Sequence, residues 1–298
     1  MKEKNIPSNL NNKHLVKIHK VIARRGILSN RKAEEYIKQG RVKIYGRIAQ
    51  IGELVRDDII IYIDSKKYSK NFKISNITYI MNKKIGDECS RNTFKNIHPS
   101  IFSRFSSKSS HFNLLKCVGR LDVLTSGLII ITTNSQIIQK IIHPSSNIKK
   151  TYIVGLDRKL DEKHKHKLLS IGIVIEHSIS KPLSIIPLNY SNFNLRLKKQ
   201  IGEQIGEQIR EQIRFEQTNQ KLFWYEVKVS EGKKHIIRTF FEYFRYRVKV
   251  LHRTKIGSLD LEQFDLKQGS YEKIEEEKLL GLIFNKKTNK KTNKKLDN

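Results

Sequence analysis

Apolar positions near the start of the chain recur at helical spacing. Leu15, Ile18, Val21 and Ile22 predict a helix that Arg24-Arg25-Gly26 ends, with Gly26 as a left-handed cap. Ser29 is placed to cap a second helix carrying Ala33, Tyr36 and Ile37, which Gly40 stops. Residues 42–44 and 59–63 then predict strands, with a turn at Gly46 between them. Two short helices followed by small strands make one small domain over residues 13–64, behind a polar N-terminus, residues 1–12, expected to be flexible. Lys, Ser and Asn crowd residues 66–73, so residues 65–76 read as a linker.

A larger domain, residues 77–282, opens with a strand at 77–81. Residues 99–112 show no periodicity and read as loop. The branched run at 129–132 predicts a buried strand, and Ile137, Ile138, Ile141 and Ile142 mark one face of a helix closed by His143-Pro144. Residues 149–154 alternate enough for a strand, as do Phe223, Tyr225, Val227 and Val229. Between those strands Ile201, Ile205, Ile209 and Ile213 repeat every fourth residue. That period drifts about 40° per repeat on an α-helix, so the stripe would spiral. Residues 198–220 therefore read as a low-complexity insertion. A repetitive Lys-Lys-Thr-Asn tail closes the chain over residues 283–298, expected to be disordered and basic.

Charge narrows the partners. Lys and Arg number 59 against 29 Asp and Glu, a net +30, which favours a polyanion such as nucleic acid. Two cysteines, Cys89 and Cys117, cannot build a disulfide framework or a four-thiol metal site, and no metal is expected. No apolar run approaches the ~18 residues of a membrane span or forms a signal-peptide core, so a cytoplasmic protein without membrane contact is expected.

One acid stands out by its setting. Asp122 lies between Arg120 and the turn Thr125-Ser126-Gly127, just ahead of the buried strand. A loop before a rigid strand is where folds present carboxylates to ligands, though a turn or cap acid has the same local appearance. The whole string Gly119-Arg120-Leu121-Asp122-Val123-Leu124-Thr125-Ser126-Gly127-Leu128 resembles the signature of pseudouridine synthases, most closely the RsuA/RluB family acting on ribosomal RNA. Two further segments resemble that family in order. Residues 31–42, Arg31-Lys32-Ala33 to Gly40-Arg41-Val42, resemble the αL RNA-binding module, and Glu231-Gly232-Lys233-Lys234-His235-Ile236-Ile237-Arg238 resembles the segment that supplies the acid's cationic partner. Lys84, Ile236 and Thr239 depart from the family pattern.

The resemblance implies an α+β fold: a small N-terminal αL RNA-binding domain, then a pseudouridine synthase catalytic domain with a central, mostly antiparallel sheet. It implies Asp122 as catalytic carboxylate, either nucleophile at the anomeric carbon or base at the neighbouring ribose carbon, with Arg238 bonded to it to keep it charged and oriented. Tyr152 would stack the uracil once it leaves the RNA helix. Lys20, Arg24, Arg25, Arg31, Lys32, Lys38 and Arg41 would line an RNA-facing surface of the αL module, and Arg120 either contacts phosphate or braces the turn. The reaction moves no electrons to an acceptor and transfers no phosphoryl group, so it calls for no cofactor. The expectation is an isomerase acting as a monomer on ribosomal RNA, with pre-ribosomal particles as further partners and 23S rRNA favoured. The alternatives are a 16S rRNA enzyme, or a noncatalytic ribosome-assembly protein on the same scaffold.

Overall fold

The computed structural model describes residues 15–72, 74–91, 97–109, 111–189, 191, 193 and 222–284. The expected flexible N-terminus, the 198–220 insertion and the tail from 285 onward lie outside the described residues. The chain forms two compact units: Met1–Asn76 with Ser107–Leu115, and Ile77–Ser106 with Lys116–Asn298.

In the first unit a short strand β1 (Leu15–Lys17) leads into α1 (Ile18–Arg24) and α2 (Asn30–Lys38). Then follow β2 (Val42–Ile44), β3 (Arg47–Ile48), β4 (Leu54–Arg56), β5 (Ile61–Ile63) and β6 (Lys66–Tyr68). Gly26 and Gly40 end the two helices with positive φ, and Ser29 Oγ accepts the Lys32 N–H at α2's start. Ile18, Ile22, Ala33, Ile37, Ile44 and Ile61 are buried together as the unit's core. Two expectations change. The first helix begins at Ile18 rather than Leu15, because residues 15–17 pair with β4. The stretch read as a linker contributes β6, edge strand of the sheet β3-β2-β5-β6. Lysines on an edge strand discourage pairing with other chains, and they give the strand a linker's composition.

The second unit is built on a nine-stranded sheet. Its elements are β7 (Thr78–Lys83), β8 (Lys116–Cys117), β9 (Ser126–Thr132), α3 (Ser135–Ile142), β10 (Lys150–Leu156), α4 (Glu162–Ser170), the hairpin β11 (Ile173–Ile175) and β12 (Ser178–Ser180), and β13 (Ser184–Leu188). After these come β14 (Phe223–Val229), α5 (Ile236–Glu242), β15 (Val248–Ile256), β16 (Leu259–Asp260), β17 (Tyr271–Lys273) and α6 (Glu276–Phe284), which ends two residues inside the stretch expected as tail. The strand order is β13-β14-β10-β15-β9-β7-β17, with β8 added to β9 and β16 to β15. Among the named strands of this sheet every pairing is antiparallel except β15 with β9, so the unit is α+β as expected. Ile80, Leu128 and Ile130 on one face pack with Ile137 and Ile141 of α3 and Leu279 of α6. No helix among the described residues is long and apolar enough to cross a membrane.

One cross-strand row organises the opposite face. Lys83 is in register with Gly127, Gly127 with Arg253, Arg253 with Tyr152, and Tyr152 with Val227. Register partners point the same way, and alternation puts this row opposite the Ile80–Leu128–Ile130 layer. The parallel joint works only with glycine at 127. Its φ is +101°, and a Cβ there would lie 2.3 Å from the Arg253 carbonyl oxygen.

Candidate active site

Asp122 sits on the turn that enters β9, and the backbone of that turn is held from four sides. The Lys83 ammonium, fully buried at the end of β7, donates to the carbonyl oxygens of Asp122 (3.2 Å), Val123 (3.4 Å) and Thr125 (2.7 Å). Gly86 donates its N–H to the Val123 carbonyl at 2.9 Å, and Cys89 Sγ accepts the Leu121 N–H at 3.4 Å. Arg238, from α5, donates through one guanidinium nitrogen to the Leu124 carbonyl and through the other to the Val248 carbonyl, both at 2.9 Å. A turn tied to two strands and a helix holds its one carboxylate in a fixed place, which is what chemistry on a bound nucleotide needs.

The carboxylate itself stays open, its side chain 37% exposed. The imidazole of His235 lies against it, with Nε2 3.3 Å from Asp122 Oδ1. His235 caps α5 from a left-handed backbone (φ 53°), an arrangement a β-carbon disfavours. The direct bond expected between Arg238 and Asp122 is not formed. The guanidinium fork is committed to two backbone carbonyls, and it senses the carboxylate only through space. Burial lowers the Arg238 pKa, and the charges of Asp122 and Glu242 offset part of that. A guanidinium remains protonated under such pressure.

Lys83 is under similar pressure. Burial brings its pKa down to about 8, against the opposing charges of Cys89, Asp87 and Asp122. At neutral pH it is still mainly an ammonium, and its carbonyl partners suit that form. Beside it in the row, Arg253 is buried and donates from Nε to the Leu128 carbonyl at 2.7 Å. Tyr152 stands two strands from Gly127, about 10 Å across the sheet. Tyr152 is largely buried. Arg120 is exposed, so it is free to meet an anion.

The basic residues of the first unit separate into two groups. Lys20, Arg31, Lys32 and Lys38 are exposed, and Arg24 is exposed beside Asp57 at 3.5 Å. Arg41 forms a bidentate pair with Asp64 (2.7 and 2.6 Å) and lies 3.7 Å over the Tyr36 ring. Arg25 does not belong on an RNA-facing surface. It is 5% exposed, and its guanidinium donates inward to the carbonyls of Asp57 and Ser69. The sequence places Arg24 and Arg25 side by side, but consecutive helical residues point about 100° apart, so one faces solvent and the other the core.

Sequence reading missed Lys83 and His235. Lys83 could have been found, because it continues the inward positions of a strand where a lysine has to be explained. His235 carries no such signal, because its role comes from a left-handed backbone that only coordinates display.

The fold and this braced acidic turn define an RNA-modifying isomerase, a pseudouridine synthase. The RNA pseudouridylate synthase family profile matches residues 77–243, more than half of the chain. Among relatives, a ribosomal large subunit pseudouridine synthase B from Buchnera aphidicola subsp. Schizaphis graminum is 28% identical over 275 residues, covering 91% of this chain and 92% of the relative. The same enzyme from Escherichia coli strain K12 is 28% identical over 249 residues (82% and 75%). An uncharacterized RNA pseudouridine synthase from Aquifex aeolicus is 27% identical over 256 (83% and 86%). A pseudouridylate synthase crystal structure covers 90% of this chain with a TM-score of 0.57 at 24% identity, and all of that chain is matched, which supports the fold. The chain belongs to the RNA pseudouridylate synthase family, as a member of its RsuA/RluB group.

Proposed function

We propose that this protein converts a specific uridine of 23S ribosomal RNA to pseudouridine with Asp122 as the catalytic carboxylate. The supporting observation is the open Asp122 carboxylate on a turn whose backbone is fixed by Lys83, Gly86, Cys89 and Arg238. In this reading Asp122 attacks the anomeric carbon or takes a proton from the neighbouring ribose carbon. The freed uracil turns over against Tyr152, and its carbon 5 forms the new bond to the ribose. His235 orients the carboxylate by direct contact, while Arg238 acts one step removed by holding the turn.

The first unit is the αL RNA-binding module in this proposal. Lys20, Arg24, Arg31, Lys32, Lys38 and Arg41 offer phosphate contacts there, and Arg120 offers one beside the acid. The large-subunit names of the relatives support 23S rRNA over 16S, within a cytoplasmic, monomeric enzyme that also meets pre-ribosomal particles.

Tritium release from RNA labelled at uracil carbon 5 tests the proposal. Wild type releases tritium and Asp122→Asn does not, while both bind the RNA. Binding without release by wild type would leave a noncatalytic RNA-binding protein. Mapping modified uridines in both rRNAs of a deletion strain then decides between 23S and 16S.

A further inference from the structure

Beyond Asp122, the second unit carries an aromatic and cationic cluster that the catalytic turn does not use. It lies where α5 ends. The chain turns back through Arg245, whose φ is +63°, and Arg158 fastens that turn by donating to the carbonyls of Phe244 (3.3 Å) and Arg245 (2.9 Å). The Arg158 guanidinium also lies 4.7 Å from the centre of the Tyr246 ring. From α4, His164 stacks on Phe244 at 4.3 Å and 23° and shares a 2.9 Å hydrogen bond between its Nδ1 and the Tyr246 hydroxyl. Packing between α4 and the turn is thus completed by Phe244, Tyr246 and His164.

Tyr243 is left over. The residue is 57% exposed, and its ring touches Phe244 edge to face at 4.9 Å and 80°, a contact that fixes the ring without stacking on it. Lys167 stands 5.7 Å from the Tyr243 ring centre and 5.8 Å from that of Phe244. Among the described residues no carboxylate forms an ion pair with Lys167, Arg158 or Arg245, whereas Lys165 on the same helix is paired with Glu162 at 3.1 Å. A held, exposed aromatic ring with an unneutralised cation beside it is how sequence-tolerant single-strand sites are made: a base stacks on the ring while the cation meets its phosphate.

We propose that Tyr243, with Lys167 beside it, is a stacking platform for an unpaired nucleotide near the target uridine. This rests on the reading of the protein as an enzyme acting on RNA. Tyr243 lies eight residues along α5 from His235, roughly 12 Å of helix rise, which corresponds to about three to four stacked nucleotides at 3.4 Å each. An RNA strand with its uridine at Asp122 therefore reaches the platform with a nucleotide about three to four positions away.

The experiment measures the Kd of the full-length protein for a fluorescently labelled RNA hairpin with an unpaired, uridine-containing loop, by anisotropy. Tyr243→Leu, which keeps apolar bulk and removes the ring, is expected to raise Kd about 5-fold to 100-fold, while Tyr243→Phe stays within about two-fold of wild type. Lys167→Gln should flatten the dependence of log Kd on log salt by about 0.7. Should Tyr243→Leu aggregate, Tyr243→Gln gives the same ringless comparison. A Kd unchanged by losing the ring, or raised equally by Phe and Leu, overturns the platform. Tritium release from 23S ribosomal RNA labelled at uracil carbon 5 keeps the two readings apart. Wild type releasing none would sink the isomerase proposal and leave the anisotropy comparison intact.

Discussion

The imidazole of His235 meets the Asp122 carboxylate at 3.3 Å from a residue whose backbone is left-handed. The two side chains are 48% and 37% exposed, so as a surface pair they add little stability. What the contact can do is orient the carboxylate. His235→Gly relieves the strained φ and removes the imidazole, so stability and activity should move in different directions. Urea unfolding is expected to show stability unchanged or higher by up to about 1 kcal/mol. Tritium-release turnover should fall about 10- to 100-fold, the scale of a mispositioned reacting group. His235→Gln, which keeps an N–H donor, should recover part of that loss. Full turnover in His235→Gly would remove the residue from the site.

Lys83 gives a pH-dependent prediction with a definite sign. Its pKa is depressed to about 8 in the folded protein, against 10.5 when solvated. Between those values the unfolded chain binds the proton and the folded one does not, so this residue favours folding increasingly as pH rises from about 8 to 10.5. Below about 8 the charge is present in both states, and the burial cost stands in full. Relative to Lys83→Met, wild type should therefore gain stability over that window, by at most about 3 kcal/mol. At pH 7 the variant should itself be less stable by about 3 kcal/mol, because buried carbonyls of residues 122, 123 and 125 lose their donor. A stability difference flat from pH 7 to pH 10 would mean that Lys83 does not titrate in this range.

Much of this architecture can be read from the residues, and the parts that cannot share a cause. The run at 129–132 and the alternation through Phe223, Tyr225, Val227 and Val229 mark strands of the central sheet, because each buries a face with the period its pleat requires. Three-residue elements such as β1 and β6 span less than two pleat periods and leave no pattern to detect. Asp122 was legible only through the string around it. His235 and the reassignment of Arg238 from carboxylate to carbonyls were not, because hydrogen-bond partners more than a hundred residues away are set by how α5 meets the turn. Arg25 shows the same limit: adjacent basic residues look alike until the helix fixes which one points inward.

Gly127 and Gly119 both have positive φ and flank Asp122, yet substitutions there should differ sharply. At Gly127 an added Cβ would meet the Arg253 carbonyl oxygen at 2.3 Å and its nitrogen at 2.8 Å, backbone atoms that no rotamer change can move. Gly127→Ala should cost more than about 4 kcal/mol or yield no soluble protein. At Gly119, φ is +75° and nothing lies within 4 Å, so Gly119→Ala pays only the left-handed penalty of about 1 kcal/mol. Denaturant midpoints of the two variants check this. Equal midpoints would deny the close approach of β9 and β15.

The two cysteines offer a chemical probe of the turn. Cys89 Sγ accepts the Leu121 N–H one residue before Asp122, and Cys117 Sγ lies 3.9 Å from the Cys89 carbonyl. The Cys117 thiol donates to Cys89, and with the Leu121 N–H and the charges of Lys83 and Arg253 this brings the Cys89 pKa down to about 7, although burial opposes it. The Cys117 pKa is pushed up, first by that same hydrogen bond and then by burial. The two shifts run in opposite directions and favour Cys89 as the thiolate of the pair. Iodoacetamide should therefore label Cys89 first, at a rate that climbs through about pH 7 as the thiolate appears and exceeds that of Cys117 throughout. Cys117→Ala removes the donor and should move this profile toward the ordinary thiol value, whereas Cys117→Ser keeps a donor and should move it less. Alkylation replaces the acceptor of the Leu121 N–H with a bulky thioether, so tritium release should slow in step with labelling. Mass spectrometry of labelled peptides reads the site and the pH profile together. Equal labelling of both cysteines, or full turnover after Cys89 is blocked, would show that this sulfur does not help hold the catalytic turn.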